Sequence, residues 1–243
     1  MKTAILFIAA VSAVQAGNLE RFTDSSLNTT QRNGACLDLR GDKSAEVVAA
    51  MRSALSDIRL QSCAGENLRL AGASAELVDA LGERDASARA VAARELGSMQ
   101  KREFIPALRK AADDQDLLVS SNALEGLVRY EDHSTAPQLR EIALSGGMLT
   151  SLAVNALSDW NDPEILGIAR KLVDHKDPGE QLIAIRVMGM FGSTADLPKL
   201  RELAKNDVQL GAGNRGFGLM PAISISRAAN TAIQSIESRA GVR

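Results

Sequence analysis

Aromatic residues are scarce in this sequence: 3% of its 243 positions, with one Trp, one Tyr and five Phe. The 45% hydrophobic content is carried instead by Ala and Leu, the composition of a helical protein. Histidine is scarcer still. His133 and His175 are the only two, and in the repeat frame set out below they fall in turns on opposite edges, so they cannot share a metal. There is no excess of basic charge. The formal charge is -2, and it becomes more negative once a leader carrying Lys2 is removed, which argues against nucleic acid as a partner. A serine-nucleophile motif, a zinc-protease helix and a phosphate loop are all missing. No catalytic constellation, cofactor site or metal site is therefore expected.

Long apolar runs are missing too, apart from the first residues. Lys2 supplies a positive start, Ala4 to Val14 an apolar core, and Val14-Gln15-Ala16 a small-residue cleavage pattern before Gly17. An apolar stretch this short falls below the roughly 20 residues needed to span a bilayer. The pattern predicts a signal peptide over residues 1–16 and a protein that is periplasmic or secreted. No later segment is long and apolar enough to cross a membrane.

What the chain does contain is a repeat. Residues 85–113 read as a helix from Ala86 to Leu96, a glycine stop at Gly97, a short turn and a second helix with Pro106 in its first turn. Forward steps of about 31 residues lead from Leu96 to Leu127, Leu157 and Met188. Four residues before these anchors stand Ala92, Ala123, Ala153 and Ala184; thirteen after them stand Arg109, Arg140, Arg170 and Arg201. At about 100° per residue the alanine and anchor columns share one helix face, so they form the core. Turns are expected at Gly146-Gly147, Asn161-Asp162-Pro163, Asp177-Pro178 and Gly192, and Pro137 and Pro198, like Pro106, start helices.

Ile105-Pro106-Ala107-Leu108, Asp113-Asp114 and Val119 through Leu127 resemble the units of the HEAT repeat family. The resemblance implies an all-α fold, an α-solenoid of HEAT-like helix pairs over residues 74–207, with capping helices at both ends. It places the alanine-bearing helices on a concave face and the Pro- and Arg-bearing helices on a convex one. The basic residue usual near the start of the second helix is kept only as Arg89; Ser120, Thr150 and Gln181 replace it. The short period is also similar to that of HEAT-like bilin lyases.

The remaining segments follow from that frame. Residues 17–42 are polar and aperiodic and are expected to be a flexible leader, in which Asn28-Thr29-Thr30 matches a glycosylation acceptor. Residues 43–73 form an N-terminal cap with an amphipathic helix from about Ser44 to Leu60, whose apolar face holds Val47, Val48, Met51, Leu55 and Ile58. Cys36 and Cys63 are the only cysteines, and in an exported chain they are expected to form a disulfide that staples this cap. After Met188 the period breaks by about 14 residues. A glycine-rich insertion, 208–221, precedes a C-terminal repeat helix or cap over 222–243, with Ala229 and Ile233 in the core columns. Gly211 to Gly216 spells a dinucleotide fingerprint, but no strand precedes it and the surrounding fold is helical. The insertion serves as a cap over the last unit or as a binding loop through Arg215 and Phe217.

Three further columns lie outside the core centre, one facing solvent and two at its boundary. Arg94, Glu125, Asn155 and Arg186, joined by Arg129 and Asp159, face solvent and are the candidate partner-binding residues; the alternative is a solvated face without a ligand. Met99, Tyr130, Trp160 and Phe191 form an aromatic-rich column that either plugs the joints between units or makes a binding edge. The Arg109 column is either neutralised by nearby acids such as Asp113, Glu141 and Glu202 or binds anions. Together these features predict an exported, non-enzymatic, monomeric scaffold for a protein or peptide partner. The alternative is a small-ligand carrier or a lyase-like enzyme.

Overall fold

Eleven residues before three of the four anchors stands an aspartate, and each of these starts a helix. The Asp85 carboxylate accepts from Ser87 N at 2.8 Å, Asp116 from Leu118 N at 3.0 Å, and Asp177 from Gly179 N at 2.6 Å. Each satisfies a first-turn N–H that has no partner inside the helix. The fourth equivalent position is Gly146, and the helix there starts later, at Thr150. The computed structural model describes residues 15–205, 209–210 and 223–241. It divides into two units, Met1–Asp132 and His133–Arg243.

In the first unit residues 15–23 form helix α1. It is followed by α2 (Thr29–Asp38), α3 (Ala45–Ser53), α4 (Gln61–Ala71), α5 (Ser74–Ala80), α6 (Ala86–Met99), α7 (Ile105–Ala112) and α8 (Leu117–Arg129). α6 packs between α4 and α8 in one layer, with α5 against α6 and α7 against α8 in the other. The second unit contains α9 (Ala136–Ser145), α10 (Thr150–Asp159), α11 (Ile165–Leu172), α12 (Pro178–Phe191), α13 (Leu197–Leu203) and α14 (Ile225–Ala240). α12 packs against α10 and α14, while α9, α11 and α13 cover α10, α12 and α14. The fold is all-α and of the α-solenoid class, with HEAT-like helix pairs in both units. The one strand pairing among the described residues is a two-residue antiparallel bridge, Gln209↔Ser224 and Leu210↔Ile223.

The core columns lie where the period puts them. Ala92, Ala123, Ala153, Ala184 and Ala229 are all fully buried, as are Leu96, Leu127 and Leu157, with Met188 and Ile233 nearly so. Pro106, Pro137 and Pro198 occupy the first turns of α7, α9 and α13.

Gly97 does not stop its helix. α6 continues to Met99 and ends on Gln100 in the left-handed region, φ 52°. Gly97 lies against Gly126 of α8 instead: a Cβ placed on it would sit 2.8 Å from Gly126 Cα. The same register recurs in the second unit, where a Cβ on Gly189 of α12 would lie 3.1 Å from Ala232 Cβ of α14. The residue after one anchor thus meets the residue before the next, and small side chains there let the backbones approach.

The polar stretch 17–42 also departs from expectation, because much of it is helical. Asn28 caps α2: its side chain accepts from Gln31 N at 3.0 Å while Gln31 Oε1 accepts from Asn28 N at 3.1 Å. Phe22, Ala35, Cys36 and Leu39 are buried, four apolar anchors within an otherwise polar segment. The helix expected to run to Leu60 ends earlier, with α3 followed by a 3-10 turn over Ala54–Ser56. Ile58 therefore leaves the apolar face and is 75% exposed. Cys36 and Cys63 form the expected disulfide, joining α2 to α4. Buried Asn67 fixes its surroundings by donating to the carbonyls of Cys36 and Cys63, both at 3.1 Å. The signal-peptide core at residues 4–14 and all of the glycine-rich insertion, 208–221, except residues 209–210 lie outside the described residues.

Candidate functional site

The outward columns can be followed rung by rung. Arg109, Arg140 and Arg170 each make a two-pronged bond to an aspartate in the turn of the following repeat. Arg109 meets Asp132 at 2.8 and 2.8 Å, Arg140 meets Asp162 at 3.0 and 2.7 Å, and Arg170 meets Asp196 at 2.8 and 3.1 Å. Arg201 meets Glu237 of α14 at 2.8 Å. The acids expected to neutralise this column were Asp113, Glu141 and Glu202; the partners are one repeat further on, because the long guanidinium stems reach along the stack. Hydrogen bonding to these aspartates raises the Arg109, Arg140 and Arg170 guanidinium groups above their ordinary value. The Arg170 bond in turn holds Asp196 below the usual carboxylate range, against the opposing effect of burial. These residues splice repeats together and leave no anion-binding row. Arg89 makes one comparable rung on α6, to Asp114 at 2.7 and 2.9 Å, and also donates to the Glu83 and Arg84 carbonyls.

The aromatic column is mixed. In the first unit Met99 is half-buried, while Tyr130 is buried and its hydroxyl donates to Leu96 O at 2.8 Å and accepts from Lys101 N at 2.9 Å, which ties the end of α8 to the end of α6. In the second unit Trp160 is half-buried and stacks on His133 with ring centroids 4.6 Å apart, and Phe191 is half-buried. Among the described residues no group of His, Cys, Asp and Glu side chains is placed to hold a metal, and no helix is long and apolar enough to cross a membrane.

The solvent-facing column separates into small sets. In the first unit Arg94 is half-buried and bonded to Glu95, whose buried carboxylate also accepts from Arg69 at 2.9 Å. Glu125 and Arg129 are exposed and pair across one helical turn at 3.4 Å. In the second unit Asn155, Asp159 and Arg186 are exposed, and Arg186 donates to Asn155 Oδ1. Arg215 and Phe217 lie outside the described residues.

Among these candidates Arg186 lines a groove. A groove of about 590 Å³ runs between α12 and α14, within the range of ligand sites. Ile185, Arg186, Gly189 and Met190 form its α12 side. On α14 its floor is Ala228 and Ala232, and Ser224, Thr231 and Ser235 follow along the same face. Arg227 and Arg239 stand toward its two ends. Gly189 and Ala232 bring the two helices close there. Met190, 48% exposed, gives it an apolar shoulder. Among the described residues no carboxylate lines it. Arg239 donates to the Gly189 and Gly192 carbonyls at 2.6 and 3.0 Å, closing the end of α12 without losing its charge. Sequence reasoning reached Arg186 and missed the α14 side. The signal was present: Thr231 stands two residues before Ile233, the position of Arg186 relative to Met188, but the inserted residues hid that register.

Residues 74–147 match the family of HEAT repeats. No curated protein matches the chain. Among solved structures it is similar to the complex of CpcE and CpcF of phycocyanin lyase from Nostoc sp., at 18% identity over 90% of this chain and 93% of that one, with a TM-score of 0.46. It is also similar to human deoxyhypusine hydroxylase, at 16% identity over 97% and 99% of the two chains, TM-score 0.43. A designed armadillo repeat protein matches at 14% identity over 90% and 98%, TM-score 0.32.

Proposed function

We propose that this HEAT-like repeat protein is an exported, non-enzymatic scaffold that holds a protein partner in the groove between α12 and α14. The observation that carries the reading is the groove itself: a small-residue floor, an apolar shoulder at Met190 and three arginines with no acid among the described lining residues. Interface patches favour this combination of Arg and Met around an apolar centre. Among the described residues the lining contains no His, Asp, Glu or Cys to serve as acid, base or nucleophile, which favours binding over chemistry. Export is supported by the leader pattern before Gly17 and by the Cys36–Cys63 bridge, since disulfides persist in oxidising compartments. The intact mass of the exported protein should then correspond to residues 17–243.

The test is a photo-crosslinking amino acid placed at Ala228, on the groove floor, and separately at Glu141, on exposed α9, in cells that export the chain. A discrete protein adduct at position 228 and none at 141 is the expected result. Equal adducts, or none at 228, would remove the scaffold assignment. A chromophore or small molecule retained by the purified protein would transfer it to the carrier reading.

A further inference from the structure

Most arginines among the described residues are neutralised. Of the eighteen among the described residues, thirteen lie within ion-pair distance of a carboxylate. That leaves five, Arg84, Arg102, Arg186, Arg227 and Arg239, and three of the five line the α12–α14 groove. Among the described residues Arg186 and Arg239 bond only neutral acceptors, the Asn155 amide and two backbone carbonyls, so no described carboxylate compensates their charge. Outside this groove only Arg84 and Arg102 of the described arginines lack an aspartate or glutamate; at the groove, among the described residues, all three do.

The dimensions select the ligand class. The lining runs along α14 from Ser224 to Arg239, about 22 Å at the helical rise. Arg227 and Arg239 are about 18 Å apart along the axis on the same measure, too far for one small carboxylate to meet both. An amphipathic helix of about four turns spans that distance, with an apolar stripe over Ala228, Ala232 and Met190 and acidic residues on its flanks. We infer that the groove between α12 and α14 receives an acidic amphipathic helix of a protein partner, with Arg186, Arg227 and Arg239 as its counter-charges. This rests on the scaffold reading and specifies the partner's recognition element.

The test uses three labelled 15-residue helical peptides with one shared Leu/Ala stripe and Glu, Gln or Lys on the flanks, titrated by anisotropy against the purified full chain. The Glu peptide is expected to bind at least tenfold tighter than the Gln peptide, and the Lys peptide not measurably. Arg186 and Arg227 are exposed, so an Arg186→Glu/Arg227→Glu variant should keep its melting temperature, lose tenfold or more for the Glu peptide, and gain affinity for the Lys peptide. Equal binding of Glu and Gln peptides overturns the inference, as does binding of the Glu peptide that the double variant leaves unchanged. Full displacement of the Glu peptide by dodecanoate or by self-association of the chain at the same arginines does so too. If the Glu peptide fails while a protein adduct at position 228 persists, the acidic-helix assignment falls and the scaffold stands; if both fail, both fall.

Discussion

Replacing Gly97 by Ala should destabilise the protein although it places the best helix former inside a helix. In an unobstructed interior position the exchange gains about 1 kcal/mol. Gly34, in the middle of α2, is such a position, with nothing within 4 Å of an added Cβ. At Gly97 the new methyl would stand 2.8 Å from Gly126 Cα and 3.5 Å from Gly126 N. Both are backbone atoms of α8, so no side chain can swing aside and the two helices must separate. Overpacking of this kind costs about 1 to 3 kcal/mol, which equals or exceeds the propensity gain. Gly34→Ala should thus raise the urea midpoint and Gly97→Ala lower it, or at best leave it unchanged. Gly126→Ala fills the same contact from the other side and should be strongly non-additive with Gly97→Ala. Unfolding followed by circular dichroism, with hydrogen exchange resolved to α6 and α8, provides the readout. A Gly97→Ala variant stabilised as much as Gly34→Ala would refute the close-approach argument and restore Gly97 to an ordinary helical residue.

Removing the bridge with Cys36→Ala/Cys63→Ala frees a loop of sequence separation 27, a loss of about 3.6 kcal/mol in the chain-entropy model. The transition of the first unit should shift while that reported by Trp160 fluorescence in the second moves much less, as nearest-neighbour stacks allow. Tyr130→Phe removes one donor and one acceptor from a buried site and should cost about 1 to 2 kcal/mol in urea unfolding, with little change in the helical spectrum. Asp196 has a folded pKa below its unfolded value because of Arg170. Its contribution is therefore complete above the unfolded value of about 3.9 and is lost as pH falls through the lower folded value. Asp196→Asn should flatten that acid limb of the stability profile; an unchanged limb would show that other carboxylates set it.

The repeat was legible because anchors, alanines and first-turn prolines are short-range signals that recur with the helix pair. Gly97 misled for a physical reason: a glycine after the last periodic apolar residue is the usual mark of a helix end, and only the neighbouring helix reveals that it marks a crossing. Residues 17–42 looked aperiodic because four buried anchors and one capping box suffice to order them once α4 is present. Ile58 kept its apolar spacing yet fell beyond the end of α3, a boundary that periodicity does not locate. Arg109, Arg140, Arg170 and Arg201 were recognised as a column, but their carboxylates lie 22 to 36 residues away, and no local rule connects them. The groove was half legible for the same reason. Arg186 belonged to a column, whereas Ala228, Ala232 and Arg227 lie beyond the break in the period.

The central claim is that the space between α12 and α14 is where a partner sits. Filling it with Ala228→Trp and measuring the affinity for the partner captured at that position tests this directly. The account predicts a loss of tenfold or more at an unchanged melting temperature; equal affinity of the wild-type and filled proteins would contradict it.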